Sequence, residues 1–225
     1  MPTPAILPEL IQAALRTIEE NAEEVGALDR ALGDGDHLTN LQRGLKALID
    51  QGAELAKLGD WSEALQKIGK TVLSTVGGAS GSLYGTLFIS LGKALRGQEL
   101  TLINIAHAFS QAVEAVKQRG KTKVGEKTLV DTLEPAACAL LAAAHAHASP
   151  SQAADQVKQA AICGMEATRG MLATKGRASY LAERSLGIPD AGARTAQLML
   201  CAIADTLVSI PNATLGCRPA HPTSE

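Results

Sequence analysis

The run Ile6-Leu-Pro-Glu-Leu-Ile-Gln-Ala-Ala-Leu-Arg-Thr-Ile18 sets the pattern that decides the fold. Its apolar residues recur at intervals of three and four, which is the spacing of one face of an α-helix. The same spacing returns over residues 41–49 and 61–73. Strand-like runs are nearly absent, and the chain has one tryptophan, two tyrosines and two phenylalanines. The sequence therefore predicts an all-α protein.

The periodicity predicts eight helices, at about residues 4–24, 37–57, 61–75, 82–96, 101–118, 127–147, 151–174 and 192–209. Thr101 and Ser151 are plausible N-caps, and Trp61 is expected to enter a helix or the core. We expect one helical domain over residues 1–210. The segment 211–225 is rich in proline and poor in apolar residues, so it is expected to be a flexible C-terminal tail.

The composition limits the classes of function. A net charge of -2 gives no basic footprint for nucleic acid. No segment is long and apolar enough to span a bilayer, and the N-terminus lacks a signal-peptide pattern. Cys138, Cys163 and Cys201 lie in apolar helical patterns and Cys217 lies near the C-terminus, with no CxxC pair. We expect buried free thiols at the first three and a cytoplasmic protein.

Four connections differ from simple helix links. They are rich in glycine or charge, and they cover residues 26–36, 76–81, 120–127 and 175–192. A helical bundle needs only about two to eight residues for each link. The last connection is about twice that length, so we expect it to have a function besides joining two helices.

The first connection carries three carboxylates, at Asp29, Asp34 and Asp36, with Gly33 and Gly35 among them. Acidic groups this close repel each other unless a cation neutralises them. Glycines permit the backbone conformations of a tight turn that would let the carboxylates converge. The pattern predicts a divalent-metal site, with ligands enough for two Mg²⁺ ions. The alternative is a soluble loop with a helix cap at its end.

A helix N-terminus is predicted directly after this run, where free N–H groups favour a phosphate. His37, Thr39 and Asn40 lie in its first turn, although capping or simple surface exposure would also explain them. The segment Gly77-Gly-Ala-Ser-Gly81 is typical of an anion-binding nest. A helix C-cap followed by an N-cap serine is the alternative there.

The two remaining connections carry positive charge. Arg177 could clamp a phosphate or stack on a base, and Asp190 could bind a ribose or cap the following helix. Surface charge on a solvated loop is the alternative. For the lysines of residues 119–128, we favour a flexible charged loop.

Together these motifs resemble the nucleotide-binding subunit of dihydroxyacetone kinases. The resemblance rests on four motifs: Asp29-Arg-Ala-Leu-Gly-Asp-Gly-Asp-His37, Ser74-Thr-Val-Gly-Gly-Ala-Ser-Gly81, Gly125-Glu-Lys-Thr128 with Asp131, and Lys175-Gly-Arg-Ala-Ser-Tyr-Leu-Ala-Glu-Arg-Ser185. It extends from about residue 5 to residue 210. It implies a closed barrel of eight antiparallel helices with the nucleotide site at one end.

The resemblance also assigns roles to residues. Asp29, Asp34 and Asp36 would hold two Mg²⁺ ions, and these carboxylates with Arg177 would serve phosphoryl transfer. The residues that match the family's ADP contacts are His37, Leu38, Thr39, Asn40, Ala79, Ser80, Gly120, Leu129, Arg177, Pro189, Asp190 and Ala191. The family often has glycine where this chain has Leu38 and methionine where it has Leu129, which leaves the side-chain roles at those two positions open.

The family's partners follow from the same resemblance. Dihydroxyacetone would be bound by a separate K subunit, and this chain would carry the phosphoryl donor, as a homodimer or in a heterocomplex. ADP would either stay bound and be rephosphorylated by a phosphohistidine protein of the phosphotransferase system, or exchange with ATP. The alternatives are a kinase for another acceptor, such as erythrulose or a fatty acid, and a non-enzymatic helical module that binds a lipid or a partner helix.

Overall fold

A computed structural model describes residues 3–210 and confirms the all-α class, with no strand in that part of the chain. Ten α-helices are present there: α1 (Leu7–Glu20), α2 (Ala22–Leu32), α3 (His37–Asp50), α4 (Gly52–Leu55), α5 (Trp61–Thr75), α6 (Gly78–Ala94), α7 (Leu102–Gly120), α8 (Val130–His145), α9 (Pro150–Ala167) and α10 (Ala191–Ser209). Short 3₁₀ segments occupy Pro4–Ile6, Thr168–Gly170 and Arg177–Ser185. The predicted tail, 211–225, lies outside the described residues.

Two of the eight predicted helices are each interrupted once, so residues 3–210 contain ten α-helices rather than eight. The first breaks at Asn21, whose side-chain amide donates to the Thr17 carbonyl at 2.8 Å and competes with the helical backbone. The second breaks at Gln51, ahead of the single turn α4. The chain resumes as α2 and runs to Leu32, so most of the first predicted connection is helical.

Eight helices pack in a continuous order. Neighbours along the chain lie side by side from α5 to α10, α10 packs on α1, α1 on α3, and α3 on α5. This ring of contacts is consistent with the barrel that the resemblance implies, and the closed barrel stays a prediction. Within residues 3–210, every helix is too short or too polar to span a bilayer.

The main core lies inside this ring, where Ile18, Val25, Val113 and Val116 are fully buried. Trp61 begins α5 as predicted and packs against the core. The expectation of buried thiols is wrong for Cys138 and Cys163, which are exposed, while Cys201 is partly buried. Alanines take the inner faces of α8 and α9, so their cysteines point outward.

Helix caps fix several boundaries. The Thr101 hydroxyl accepts a hydrogen bond from the Asn104 amide, as predicted. The cap predicted at Ser151 lies instead at Ser149, which forms a capping box with Gln152 because Pro150 suits the first helical position. The helix predicted from residue 82 begins at Gly78, so the glycine-rich segment forms its first turn rather than a loop.

Lys127 is a charged side chain with only 1% of its surface exposed. Its ammonium donates to the carbonyls of Thr168 at 2.5 Å and Ile188 at 2.6 Å. Its backbone is held in the left-handed region, at φ 60°. The prediction of a flexible charged loop is therefore wrong for Lys127, which joins the 121–129 loop to the segment before α10.

Asp190 belongs to the same network. Its carboxylate caps α10 by accepting from the Ala193 amide at 2.7 Å, and its own amide donates to the Thr168 hydroxyl at 3.0 Å. Burial raises the pKa of the Asp190 carboxyl to about 6, although the Ala193 hydrogen bond and Lys127 oppose the rise. Burial also lowers the pKa of Lys127. The network fixes where α10 begins.

Replacing Lys127 with methionine should lower the free energy of unfolding by about 2–4 kcal/mol, because two buried carbonyls lose their donor and Asp190 loses its nearby positive charge. Chemical denaturation measures this change. Lys123→Met, at an exposed position of the same loop, should change stability by about 0.5 kcal/mol or less. Equal losses in the two variants would contradict this role of Lys127.

Replacing Asp190 with asparagine should change how stability depends on pH while retaining the cap. A folded-state pKa of about 6, above the ordinary 3.8, means that the proton stabilises the fold at acidic pH and that this contribution is lost as pH rises through 6. Between pH 4.5 and 7.5, the unfolding free energy of Asp190→Asn should rise relative to the unsubstituted protein by about 2 kcal/mol. Denaturant titrations at the two pH values test this. Thr101→Asn, another capping replacement without a titrating group, should show no such trend.

Candidate functional site

The three predicted carboxylates come together. Oxygens of Asp29, Asp34 and Asp36 lie within 4.8 Å of one another, with Asp29 buried and the other two exposed. Asp29 belongs to the last turn of α2 rather than to a loop, and the turn that follows carries Asp34 and Asp36. The site thus combines one ligand on a helix with two on a turn.

The turn depends on two glycines for different reasons. Gly35 has φ 78°, the left-handed conformation that the sequence predicts for it. Gly33 does not: its φ is -134°, and a Cβ there would lie 2.4 Å from an oxygen of Asp29. Glycine at 33 therefore gives the Asp29 carboxylate room, a steric role that the sequence pattern does not predict.

The carboxylates differ in how they are held. Oδ2 of Asp29 accepts the backbone N–H of His37 at 2.8 Å, which joins α2 to the first residue of α3. Asp36 occupies the N-cap position of α3, but its side chain makes no capping hydrogen bond. The carboxylate of Asp36 is therefore not used by the helix that it precedes, and capping does not explain it.

Arg177 reaches the carboxylates from the longest connection. Its guanidinium lies 2.7 Å from Oδ2 of Asp34, with 68% of the arginine side chain exposed. Gly176, at φ 62°, turns the chain into the 3₁₀ segment that begins at Arg177. An exposed pair of this kind contributes about 1 kcal/mol or less to stability. Its importance is that it brings a mobile positive charge to the site.

His37 is buried, so the surface-residue alternative is wrong. Its Nδ1 lies 2.9 Å from the Ser80 hydroxyl on α6, and its Nε2 lies 2.9 Å from the Thr195 hydroxyl on α10. Burial lowers the pKa of His37, and the charges of Asp29 and Asp36 oppose that shift. The imidazole thereby connects three helices directly beneath the carboxylates.

Two helix N-termini open at this place. Neither N-cap residue caps its helix with a side chain, although Asp29 already accepts the N–H of His37 at the start of α3. Ala79 and Ser80 lie in the first turn of α6. Uncapped N–H groups and the positive end of a helix favour an anion. The glycine-rich segment can bind a phosphate in this way, although it is a helix start and not a loop nest.

The other predicted contact residues surround these features unevenly. Leu129 is buried in the main core, and Leu38 is partly buried against it. Thr39 is exposed, and Gly120 ends α7 beside Leu83 of α6. The segment Pro189–Ala191 forms the start of α10, where the carboxylate of Asp190 already caps the helix and is not free for a ribose.

Asp131 belongs to one of the motifs, but the sequence predicts no role for it. It is buried and accepts the amides of Gly125 at 2.5 Å and Thr128 at 2.7 Å, which shapes the 121–129 loop. Two further residues at the site, Thr195 and Arg43, were not predicted. Thr195 gives no sequence signal, because it lies 158 positions from its partner His37. Arg43 could have been found from its spacing, since it follows Asn40 by one helical turn.

The clustered carboxylate oxygens fit Mg²⁺. This cation usually binds one or two carboxylates together with phosphates and water, and the helix ends beside the carboxylates favour a phosphate.

Comparison with solved structures gives the fold independently. The chain superposes on the native form of the dihydroxyacetone kinase of C. freundii with a TM-score of 0.70 and 24% identity, over 90% of this chain and 34% of the kinase. The same kinase in complex with AMP-PNP and Mg²⁺ matches with a TM-score of 0.67 and 23% identity. This chain thus spans about a third of that solved kinase.

Curated relatives match over more of their length. The ADP-binding subunit DhaL of PEP-dependent dihydroxyacetone kinase 1 from Listeria innocua is 38% identical over 192 residues, which is 85% of this chain and 91% of the relative. The corresponding Escherichia coli subunit is 37% identical, over 80% of this chain and 85% of the relative. An L-erythrulose kinase from Pectobacterium atrosepticum is 34% identical over 95% of this chain but only 36% of that enzyme.

The family model of the DAK2 domain matches residues 31–205 of this chain. The matched range includes two of the three carboxylates, the start of α6 and the Arg177 segment. The resemblance inferred from the motifs is thereby confirmed, and the chain belongs to the DAK2 domain family.

Proposed function

We propose that this chain is the nucleotide-binding subunit of a dihydroxyacetone kinase. It would bind Mg·ADP or Mg·ATP and transfer a phosphoryl group to dihydroxyacetone held on a partner K subunit in the cytoplasm. The observation that carries the proposal is the position of the three carboxylates at the start of α3, which His37 joins to the uncapped start of α6. That arrangement places metal ligands next to backbone N–H groups that can donate hydrogen bonds to a phosphate.

The roles of the residues follow from their surroundings. Asp29, Asp34 and Asp36 would hold the metal, with ligands enough for two ions. Mg²⁺ at this site would neutralise the charge that develops on the phosphate oxygens. The N–H groups of the first turn of α6, including Ala79 and Ser80, would bind phosphate oxygens.

Arg177 would supply positive charge during transfer. Its guanidinium already lies against Asp34, and its exposure leaves it free to turn toward a phosphoryl group. A planar guanidinium offers two parallel donors to such a group, which suits a transition state with charge on several oxygens.

The phosphoryl donor is proposed from the relatives. Those from Listeria innocua and Escherichia coli are named PEP-dependent, and one from Lactococcus lactis is named PTS-dependent. We therefore favour ADP that stays bound and is rephosphorylated by a phosphohistidine protein of the phosphotransferase system. The relation to an L-erythrulose kinase supports a second candidate acceptor, erythrulose. The family membership favours both kinases over a non-enzymatic lipid-binding or partner-binding module.

Replacing Asp34 with asparagine should weaken Mg·ADP binding by a factor of about 10–100, because a metal ligand loses its charge, while stability stays nearly unchanged at this exposed position. Calorimetric titration with ADP, with and without Mg²⁺, measures this. Asp50→Asn, at the exposed end of α3, is the matched control and should bind as the unsubstituted chain does. Absence of Mg-dependent nucleotide binding in the unsubstituted chain would refute the proposal.

Replacing Arg177 with methionine should slow phosphoryl transfer by a factor of about 10²–10³ and change Mg·ADP affinity far less, because the charge is needed mainly during transfer. The assay reconstitutes the chain with a K subunit and compares dihydroxyacetone with erythrulose as acceptor. Arg184→Met, an exposed replacement in the same 3₁₀ segment, should retain full activity. Similar rates for the two variants would remove Arg177 from the transfer step.

A further inference from the structure

Arg43 lies on the exposed side of α3, next to the proposed phosphate site but outside the motifs that define it. Its Nη2 donates to Oδ1 of Asn40 at 2.7 Å, and its Nε donates to the carbonyl of Thr75 at 2.7 Å. Within residues 3–210, no carboxylate lies within ion-pairing distance of Arg43. The guanidinium is therefore committed to two neutral oxygens.

The hydrogen bond to Asn40 determines which way its amide faces. A guanidinium has only donors, so the amide atom that it contacts must be the oxygen. The NH₂ group of Asn40 must then point the other way. A Cβ built on Gly78 would lie 3.9 Å from that nitrogen, so the NH₂ group faces the first residue of α6.

The surroundings keep this pair in place. Asn40 is 8% exposed, in the first turn of α3. A Cβ on Gly77 would lie 2.8 Å from Oδ1 of Asn40 and 3.1 Å from Nη2 of Arg43, so glycine is required for the pair to fit. A Cβ on Gly44 would lie 2.1 Å from Val76, which shows how closely α3 approaches the α5–α6 junction.

The second hydrogen bond of Arg43 fixes the junction itself. Thr75 is the last residue of α5, and its carbonyl is among those that lack a partner inside the helix. A cationic donor at a helix C-terminus also interacts favourably with the helix dipole. Arg43 therefore joins the end of α5, three positions before α6 begins, to Asn40 in the first turn of α3.

We propose that Arg43 is a positioning residue, which holds the amide of Asn40 so that its NH₂ group donates to a phosphate oxygen of the nucleotide at the start of α6. This inference rests on the proposed nucleotide site. Arg43 acts through Asn40 and not through its own charge. Lysine cannot replace it, because a single ammonium cannot form the two-pronged contact of the guanidinium.

The test is a double-mutant cycle on Mg·ADP affinity, measured by calorimetry on the full chain. Asn40→Ala should weaken binding about tenfold, since a charge-assisted hydrogen bond is lost. Arg43→Met and Arg43→Lys should each weaken it by a factor of about three to ten, because the amide is no longer held. In the Asn40→Ala background, Arg43→Met should have an effect of less than about twofold.

Lys46→Met is the matched control, because it removes an exposed positive charge one turn further along α3. It should leave Mg·ADP affinity unchanged, and thermal unfolding should confirm that all variants fold.

Three results would overturn this inference and leave the proposed function standing. They are an unchanged affinity in Arg43→Met, full affinity in Arg43→Lys, or an equal loss from Arg43→Met with and without Asn40. The last two would show that the charge acts on the nucleotide directly. Failure of the unsubstituted chain to bind Mg·ADP would overturn the proposed function and this inference with it.

Discussion

The buried imidazole of His37 is the contact on which the site depends. Its ring is hydrogen-bonded to Ser80 of α6 and Thr195 of α10, while its backbone N–H holds Asp29 of α2. Four helices therefore meet at one residue. A buried polar side chain with partners on both ring nitrogens fixes one arrangement of those helices, since any other would leave polar groups without partners.

A second buried polar group organises the opposite side of the site. Lys127 ties the 121–129 loop to the carbonyls of Thr168 and Ile188, and Thr168 in turn holds the amide of Asp190. This network acts together with the packing of Ile188 on a small apolar cluster to hold the chain as it enters α10. The connections around the site are thus ordered by a few buried hydrogen bonds within a scaffold of packed helices.

The sequence predicted the scaffold better than it predicted the connections. Apolar periodicity identifies the long helices because burial of one face is what stabilises them. It did not reveal the break at Asn21, because the apolar stripe continues into α2 with little change of phase. The start of α6 was placed too late, since glycines argue against a helix interior although they are tolerated in a first turn.

The candidate site was predictable where its residues are close in the sequence. Asp29, Asp34 and Asp36 lie within eight positions, so local geometry alone brings them together. The inward turn of Lys127 was not predictable, because a lysine in a glycine-containing loop is ordinarily solvated. The pairing of His37 with Thr195 joins α3 to α10 across 158 positions of the chain, so no local sequence pattern predicts it.

The unequal burial of the three carboxylates has a thermodynamic consequence. Asp29 is fixed on α2 by a backbone hydrogen bond, so it loses little conformational freedom when a ligand arrives. Asp34 and Asp36 stand on an exposed turn and would have to be ordered. Under the proposed function, one rigid ligand would define where a cation sits, while two adjustable ones would follow it as the nucleotide gains or loses a phosphoryl group. A site built in this way is suited to accommodating two charge states of one nucleotide rather than to holding a single ion most tightly.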